Sequence, residues 1–167
     1  MNHRGVSLVE LILYVALASI VLLAMGTFTI DVLLGRQKVA VIDKQKQTTR
    51  VAWARMNREI ERATGINTGA STFGSHPGVL SLVMPDAANN PTVFDVSGGR
   101  LRMTQGANPA IFLTPTNITV SNLVFTNLSN GTTYVVRVQF DATANLASGN
   151  ANYTASSSYQ SSIFLHN

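Results

Sequence analysis

Residues 11–30 read LILYVALASIVLLAMGTFTI, a run of twenty residues without a charged side chain. A helix of about 20 apolar residues is needed to cross a hydrocarbon core about 30 Å thick. A helix of a soluble protein seldom stays apolar on every face over this length, because one face normally meets water. The run therefore predicts a membrane-spanning helix close to the N-terminus.

An ordinary secretory signal peptide is the alternative for this segment. Such a peptide has a basic start, a short apolar region and a small-residue cleavage site. Residues 1–4 supply the basic start, and residues 16–18, Ala-Leu-Ala, could be cut before Ser19. However, Glu10 would then lie within the hydrophobic region, and the apolar run continues well past the cut. The spanning helix is the favoured interpretation.

Glu10 narrows the function more than any other residue. A carboxylate in an apolar helix costs about 2.5–3.5 kcal/mol near the bilayer centre unless it is paired, and less toward the interface. Glu10 either lies at the headgroup level, where its side chain reaches water, or waits for a cation supplied by another molecule. The residue type and its position leave both explanations open.

The residues before the apolar run carry a resemblance to a known family. Residues 4–10, RGVSLVE, resemble the cleavage signature of type IV prepilins and type II secretion pseudopilins. The resemblance implies that a prepilin peptidase cuts between Gly5 and Val6 and that the new amine of Val6 is methylated. Ser7 and Leu8 match the same motif. It also implies that Glu10 pairs with the N-terminal amine of a neighbouring subunit, a contact that is strong in a low-dielectric helix bundle.

The helix is expected to continue beyond the apolar run. Trp53, Met56 and Ile60 follow a spacing of three and four residues, which predicts that they form the helix side of a core. Gly65 is expected to stop the helix in a left-handed cap. The predicted organisation is a leader (1–5), a transmembrane or filament-core helix (6–30), the outer half of that helix (31–63) and a β-sheet head (64–167).

The head is predicted to be a single antiparallel sheet. Its β-prone segments are residues 79–84, 92–96, 100–104, 110–114, 119–126, 133–141 and 160–165. Ser-Gly-Gly at 97–99 and Asn-Gly at 130–131 are hairpin turn sequences, and residues 145–162 are expected to form a loop. The fold class is therefore α+β and pilin-like, with a long N-terminal helix whose first half is transmembrane and whose second half packs on the sheet.

The positive charge of the chain is concentrated after the apolar run. The formal net charge is +4, and residues 36–62 hold eight basic and three acidic side chains, a net +5. This segment is interpreted as a solvated helix face, with contact to anionic lipid headgroups or to acidic patches of neighbouring subunits as the alternative. Nucleic acid is an unlikely partner, because aromatic side chains for stacking are sparse there.

Catalysis is not expected. The chain has no cysteine, and the head carries only Asp86, Asp95 and Asp141 as carboxylates, with His76 and His166. These residues form no triad, metal motif or phosphate-binding loop. We therefore expect no enzyme activity, no cofactor and no metal.

The family resemblance implies a structural subunit of a type IV pilus or a type II secretion pseudopilus. Residues 50–66 also look like J-type minor pseudopilins and W-type minor pilins, which suggests a minor subunit. The implied partners are other pilin or pseudopilin subunits, the prepilin peptidase, an inner-membrane assembly platform and membrane lipid. The implied location is the bacterial inner membrane, with the N-terminus in the cytoplasm and the head in the periplasm or outside the cell. The alternative is a single-pass anchored β domain that acts as a binding module and never polymerises.

Overall fold

The computed structural model describes residues 7–130, 132–144 and 155–165. One α-helix precedes eight strands among these residues, so the fold is α+β. The elements are α1 (Leu8–Arg62), β1 (Gly65–Ile66), β2 (Leu80–Val83), β3 (Thr92–Ser97), β4 (Arg100–Gln105), β5 (Ile111–Phe112), β6 (Ile118–Asn127), β7 (Val135–Ala144) and β8 (Ala155–Phe164). The chain divides within α1 into two units, Met1–Ala40 and Val41–Asn167, which are described separately.

The first unit contains the apolar part of α1. The segment Leu8–Leu33, which we call the anchor helix, is long and apolar enough to cross a membrane. Its three aliphatic hydroxyls all bond to the backbone of the same helix. Ser19, Thr27 and Thr29 donate to carbonyl oxygens three or four residues earlier in the helix, at 2.7, 3.0 and 2.8 Å. The serine and threonine hydroxyls are thus satisfied within the helix, which suits an apolar environment.

In the second unit, one face of α1 packs on strands. Ala52, Met56, Ile60 and Ala63 are buried at spacings of four, four and three residues, which places them on one side of the helix. Trp53 is half-buried beside them and packs against the core. The prediction that Trp53, Met56 and Ile60 form the helix side of the core is confirmed.

The first five strands form one antiparallel sheet, sheet I, in the order β1-β2-β3-β4-β5. Its β3–β4 hairpin closes through Gly98 and Gly99, with φ angles of +56° and +71°. Positive φ at both central residues is the requirement of a type I′ turn, which glycine meets without steric strain. Ser97 pairs with Arg100 across this turn, so the predicted hairpin is confirmed.

The last three strands form a second antiparallel sheet, sheet II, in the order β6-β7-β8. Strand β6 is irregular, because its pairing with β7 shifts between Ser121 and Val124. Asn122 lies in this β-bulge with φ +52°, the left-handed conformation that asparagine tolerates better than most residues.

The bulge connects β6 to the segment that leads into β2 of sheet I. The backbone N–H of Leu123 donates to Nδ1 of His76 at 3.0 Å, and its carbonyl accepts from the N–H of Gly78 at 2.9 Å. The N–H of Gly74 donates to the carbonyl of Phe125 at 2.9 Å. Sheet I and sheet II are therefore joined through this segment as well as through side-chain packing.

Three details of the predicted head are wrong. The strands form two sheets instead of one, because β6 pairs with β7 and not with β5. Gly65 does not cap the helix but begins β1, where it pairs with Val83. The expected loop at 145–162 is too long, since β8 already begins at Ala155. Gly131 of the second predicted turn lies outside the described residues.

Candidate functional site

The N-terminal end of the anchor helix carries the residues to which the sequence assigns a function. Leu8 is the first residue of α1, and the carbonyl of Ser7 accepts the first helical hydrogen bond, from the N–H of Leu11 at 3.1 Å. Ser7 therefore occupies the N-cap position, and Glu10 is the third helical residue. Gly5 and Val6, between which the predicted cut falls, lie outside the described residues.

Glu10 lies where a helix favours negative charge. The first backbone N–H groups of a helix lack intrahelical partners, and the helix dipole stabilises an acidic side chain there by about 0.3–1 kcal/mol at an exposed position. Glu10 is exposed, and no basic side chain of the described residues forms an ion pair with it. The anchor helix thus begins with a carboxylate that has no counter-charge within the described part of the chain.

The pattern Ser7-x-x-Glu10 has a second meaning, which our sequence interpretation missed. Serine at the N-cap with glutamate at the third helical position matches a capping box, in which each side chain accepts a hydrogen bond from a backbone N–H of the first turn. The signal was present in the four residues themselves. It provides a local explanation for Glu10 that competes with the intersubunit ion pair.

The anchor helix exposes apolar side chains around its whole circumference. Leu23 is 71% exposed and Phe28 70%, and every residue of the segment is classed as exposed. A monomeric soluble protein rarely exposes a contiguous apolar patch larger than a few hundred Å². The surface of this helix therefore requires a cover of lipid or of other apolar helices.

The head carboxylates are engaged in structural hydrogen bonds. Asp95 of β3 accepts from Nε of Arg102 of β4 at 2.8 Å and also pairs with the Nη2 group. This bond and the carboxylate charge raise the pKa of Arg102 above its usual range. Asp86 accepts from the N–H of Ala88 at 3.0 Å and from the side chain of Asn89 at 2.6 Å, and so closes its own turn.

Asp141 of β7 links the three strands of sheet II. It accepts from the hydroxyl of Ser158 on β8 at 2.6 Å and from the side-chain amide of Asn122 on β6. The bond from Ser158, followed by that from Asn122, holds the pKa of Asp141 below its usual range. The three head carboxylates thus lie in separate hydrogen-bonded clusters.

No metal-binding cluster of three or more His, Cys, Asp or Glu side chains occurs among the residues that the structure describes. His76 takes part in the β6 bulge through Nδ1, and His166 lies outside the described residues. The anchor helix with Glu10 is therefore the candidate functional site.

The basic segment of α1 forms a second surface with possible function. Its described basic side chains are all exposed: Arg36, Lys46, Arg50, Arg55, Arg58 and Arg62. None of them forms an ion pair with a carboxylate of the described chain.

Comparison of the chain with protein-family models, with curated proteins and with solved structures found no match in any of the three.

Proposed function

We propose that this chain is a structural subunit, of the minor class, of a type IV pilus or a type II secretion pseudopilus. The observation that carries the proposal is the anchor helix, apolar and exposed on all sides, whose first residues belong to the RGVSLVE sequence of residues 4–10. The leader is removed after Gly5 by a prepilin peptidase, and the amine of Val6 is methylated. Assembly then proceeds through the anchor helix.

The two environments of a pilin-like subunit both suit this helix. Before assembly, lipid covers the anchor helix, with the N-terminus in the cytoplasm and the head in the periplasm. After assembly, the anchor helices of neighbouring subunits cover one another, so that the same apolar surface serves as the filament core. Subunits of the filament, the peptidase, an assembly platform and inner-membrane lipid are the proposed partners, and no catalytic step or cofactor is required.

Glu10 supplies the specificity of assembly in this proposal. An unpaired carboxylate within an apolar bundle is costly, whereas a carboxylate beside the amine of Val6 of the next subunit is neutralised. Removing one partner of a buried ion pair typically costs about 3–5 kcal/mol. Substitution of Glu10 should therefore abolish incorporation into filaments while the anchor helix still inserts in the membrane.

Mass spectrometry of the native protein tests the processing step. The expected mature chain starts at Val6 and carries one methyl group on its N-terminal amine. A chain that retains Met1 supports an unprocessed membrane-anchored binding module instead. A chain that begins near Ser19 identifies a secreted protein released from a signal peptide, and either of these results refutes the proposal.

Two variants of Glu10 separate the ion pair from the capping box. In Glu10→Val both interactions are lost. Glu10→Gln keeps a residue type that fits the capping-box pattern, but it carries no charge. We expect both variants to insert in the membrane and both to be absent from sheared filaments. Incorporation of Glu10→Gln at the wild-type level would show that Glu10 acts as a local cap.

Asp31 provides a matched control on the same helix. It is exposed near the far end of the apolar run. Asp31→Asn removes one negative charge, as Glu10→Gln does, and it should leave filament incorporation unchanged. If all three variants and the wild type are equally absent from filaments, the chain is the anchored binding module and not a filament subunit.

A further inference from the structure

The outer face of α1 in the second unit is aligned opposite the face that packs on the strands. Ala54 is two residues from both Ala52 and Met56, which are buried, so it points about 200° away from them around the helix. Gln47, Val51, Ala54 and Arg58 follow on this outer side at spacings of four, three and four residues. We call these four residues the outer seam. Spacings of four and three are those of a helix that receives a second helix along its length.

The outer seam is narrow, apolar at its centre and flanked by positive charge. Val51 is 65% exposed, and Ala54 beside it is too small to hold another helix away. Two shallow grooves meet at these two residues. One extends to Lys46 and Arg50, and the other to Arg55, Arg58 and Arg62. From Lys46 to Arg62 the surface extends for about 24 Å along the helix axis at about 1.5 Å per residue.

We propose that the outer seam binds an acidic amphipathic helix of another protein. Small apolar residues at the centre allow close approach of a helix, and arginines on both flanks select acidic residues at the flanking positions of the partner. The flanking pattern is uneven, because Arg50, Arg55 and Arg62 border the seam while exposed Asp43 and Glu61 lie at its two ends. The partner therefore carries a mainly acidic stripe on each side of an apolar row.

A second copy of this chain does not offer such a stripe. In the described head, Asp95 and Asp141 are occupied by hydrogen bonds across strands, and Asp86 closes its own turn. Glu61 accepts from the side chain of Asn57 at 2.7 Å. These carboxylates are scattered over the described surface and form no row that matches the arginines.

Phosphate-bearing partners fit the surface less well than an acidic helix. The carboxylates of Asp43 and Glu59 also line the two grooves. A helix can carry uncharged residues opposite these two carboxylates, whereas a nucleic-acid backbone or a lipid surface presents phosphates along its whole length. A helix that lies on a membrane surface also needs large apolar side chains such as Trp, Phe or Leu for insertion. The outer seam presents only Val51 and Ala54.

The proposal is tested by fluorescence anisotropy on the full chain in a nonionic detergent. The probe is a labelled synthetic helix of about three heptads with Leu and Ala along one row and Glu on both flanks. A matched probe carries Lys in place of the flanking Glu. We expect the Glu probe to bind and the Lys probe not to bind, with affinity that falls as salt is raised. Failure of the Glu probe to bind overturns the proposal.

Reversal of the charges that flank the outer seam should change the preferred probe from the Glu probe to the Lys probe. The double variant Arg50→Glu/Arg55→Glu is expected to bind the Glu probe at least tenfold more weakly and to gain binding to the Lys probe. Arg137→Glu makes a charge reversal on β7, at an exposed residue away from the outer seam. It should stay within twofold of the wild type, and an equally large loss there would show a net-charge effect and refute the proposal.

Ala54→Arg separates helix docking from general attraction to anions. The variant adds a positive charge but fills the centre of the outer seam, so docking of a helix predicts at least tenfold weaker binding of the Glu probe. Tighter binding would refute the proposal, as would stronger binding of the wild type to phosphatidylglycerol vesicles or to duplex DNA than to the Glu probe. Since all these positions are exposed, unchanged thermal unfolding confirms that each variant is folded.

The proposal for the outer seam and the proposal for filament assembly can be refuted independently. Glu10→Val should keep full binding of the Glu probe, because Glu10 and the outer seam belong to different units of the chain. Loss of filament incorporation therefore leaves this proposal intact, and loss of probe binding leaves the proposed filament assembly intact.

Discussion

Replacement of Phe140 by alanine should remove a large part of the stability of the head. Phe140 of β7 is fully buried, with its ring centroid 5.7 Å from that of Trp53 on α1 and 5.3 Å from that of Tyr159 on β8. Truncation of a buried phenylalanine costs about 3–5 kcal/mol through lost transfer energy and the cavity left behind. The total free energy of unfolding of a natural domain is about 5–15 kcal/mol. With a urea slope of about 2 kcal/mol/M, the midpoint should fall by about 2 M.

Urea unfolding of the full chain in a nonionic detergent measures this loss. Trp53 is the only tryptophan, so its fluorescence reports on the contact between α1 and sheet II. Phe140→Leu retains part of the buried side chain and should lose less stability. Gln139→Ala, at the exposed neighbouring position, should stay within about 0.5 kcal/mol of the wild type. A midpoint shift of Phe140→Ala no larger than that of Gln139→Ala would refute the described packing of α1 on sheet II.

Three further substitutions test other parts of the second unit. The hydrogen bond from Ser158 lowers the pKa of Asp141 in the folded state. The ionised Asp141 therefore stabilises the fold above its unfolded pKa of about 3.9, and this stabilisation is lost as pH falls through the folded pKa. Asp141→Asn should reduce the loss of stability that urea titrations measure below pH 5. Gly106→Ala should lower the thermal midpoint by the equivalent of about 1–3 kcal/mol, because φ is +55° and a Cβ would overlap the carbonyl oxygen of Ala88. Thr49→Val should raise stability to urea by about 1 kcal/mol, since Oγ1 of Thr49 is buried without a hydrogen-bond partner; an unchanged or lower midpoint would contradict this.

Features that depend on neighbouring residues could be predicted from the sequence. The apolar run specifies its helix through composition alone, and the burial of Met56 and Ile60 follows from helical spacing. The Gly98-Gly99 turn depends on the φ angles of two residues, which glycine signals directly. In each case the deciding interactions lie within a few residues along the chain, so a local pattern carries the information.

The arrangement of the strands depends on distant pairings and was not predictable in the same way. Strand β8 begins with Ala155 and three serines, whose side chains favour loop and strand about equally. Its extended conformation comes from ten continuous residue pairs with β7. The sequence predicted only residues 160–165 as a strand, and the first half of β8 carries no strand signal. The division into two sheets likewise depends on which strands pair, and strand propensity is the same for either arrangement.

The candidate site was located by sequence, whereas its proposed chemistry involves a second chain. The position of Glu10 in the first helical turn follows from the helix that the apolar run predicts. Its counter-charge is not found in the described chain, because the proposed partner amine belongs to another molecule. The capping-box pattern Ser7-x-x-Glu10 overlaps the family signature, so the same residues fit two different roles. The outer seam could be defined only from the structure, because its position depends on which face of α1 is buried.

Asn122 is the extra residue of the β-bulge in β6, without a pairing partner of its own on β7. Two residues of β6 stand opposite Phe140 alone, so a chain shortened by Asn122 would pair without interruption. It would also keep Leu123 and Phe125 on the buried side, because the alternation on either side of the gap would close in phase. Such a deletion would disrupt the two hydrogen bonds that the peptide groups of Leu123 form with His76 and Gly78. The bulge thus provides one of several links between the sheets, since the N–H of Val120 also donates to the carbonyl of Gly99 at 2.7 Å. Removal of Asn122 would weaken this one link while each sheet kept its own ladder.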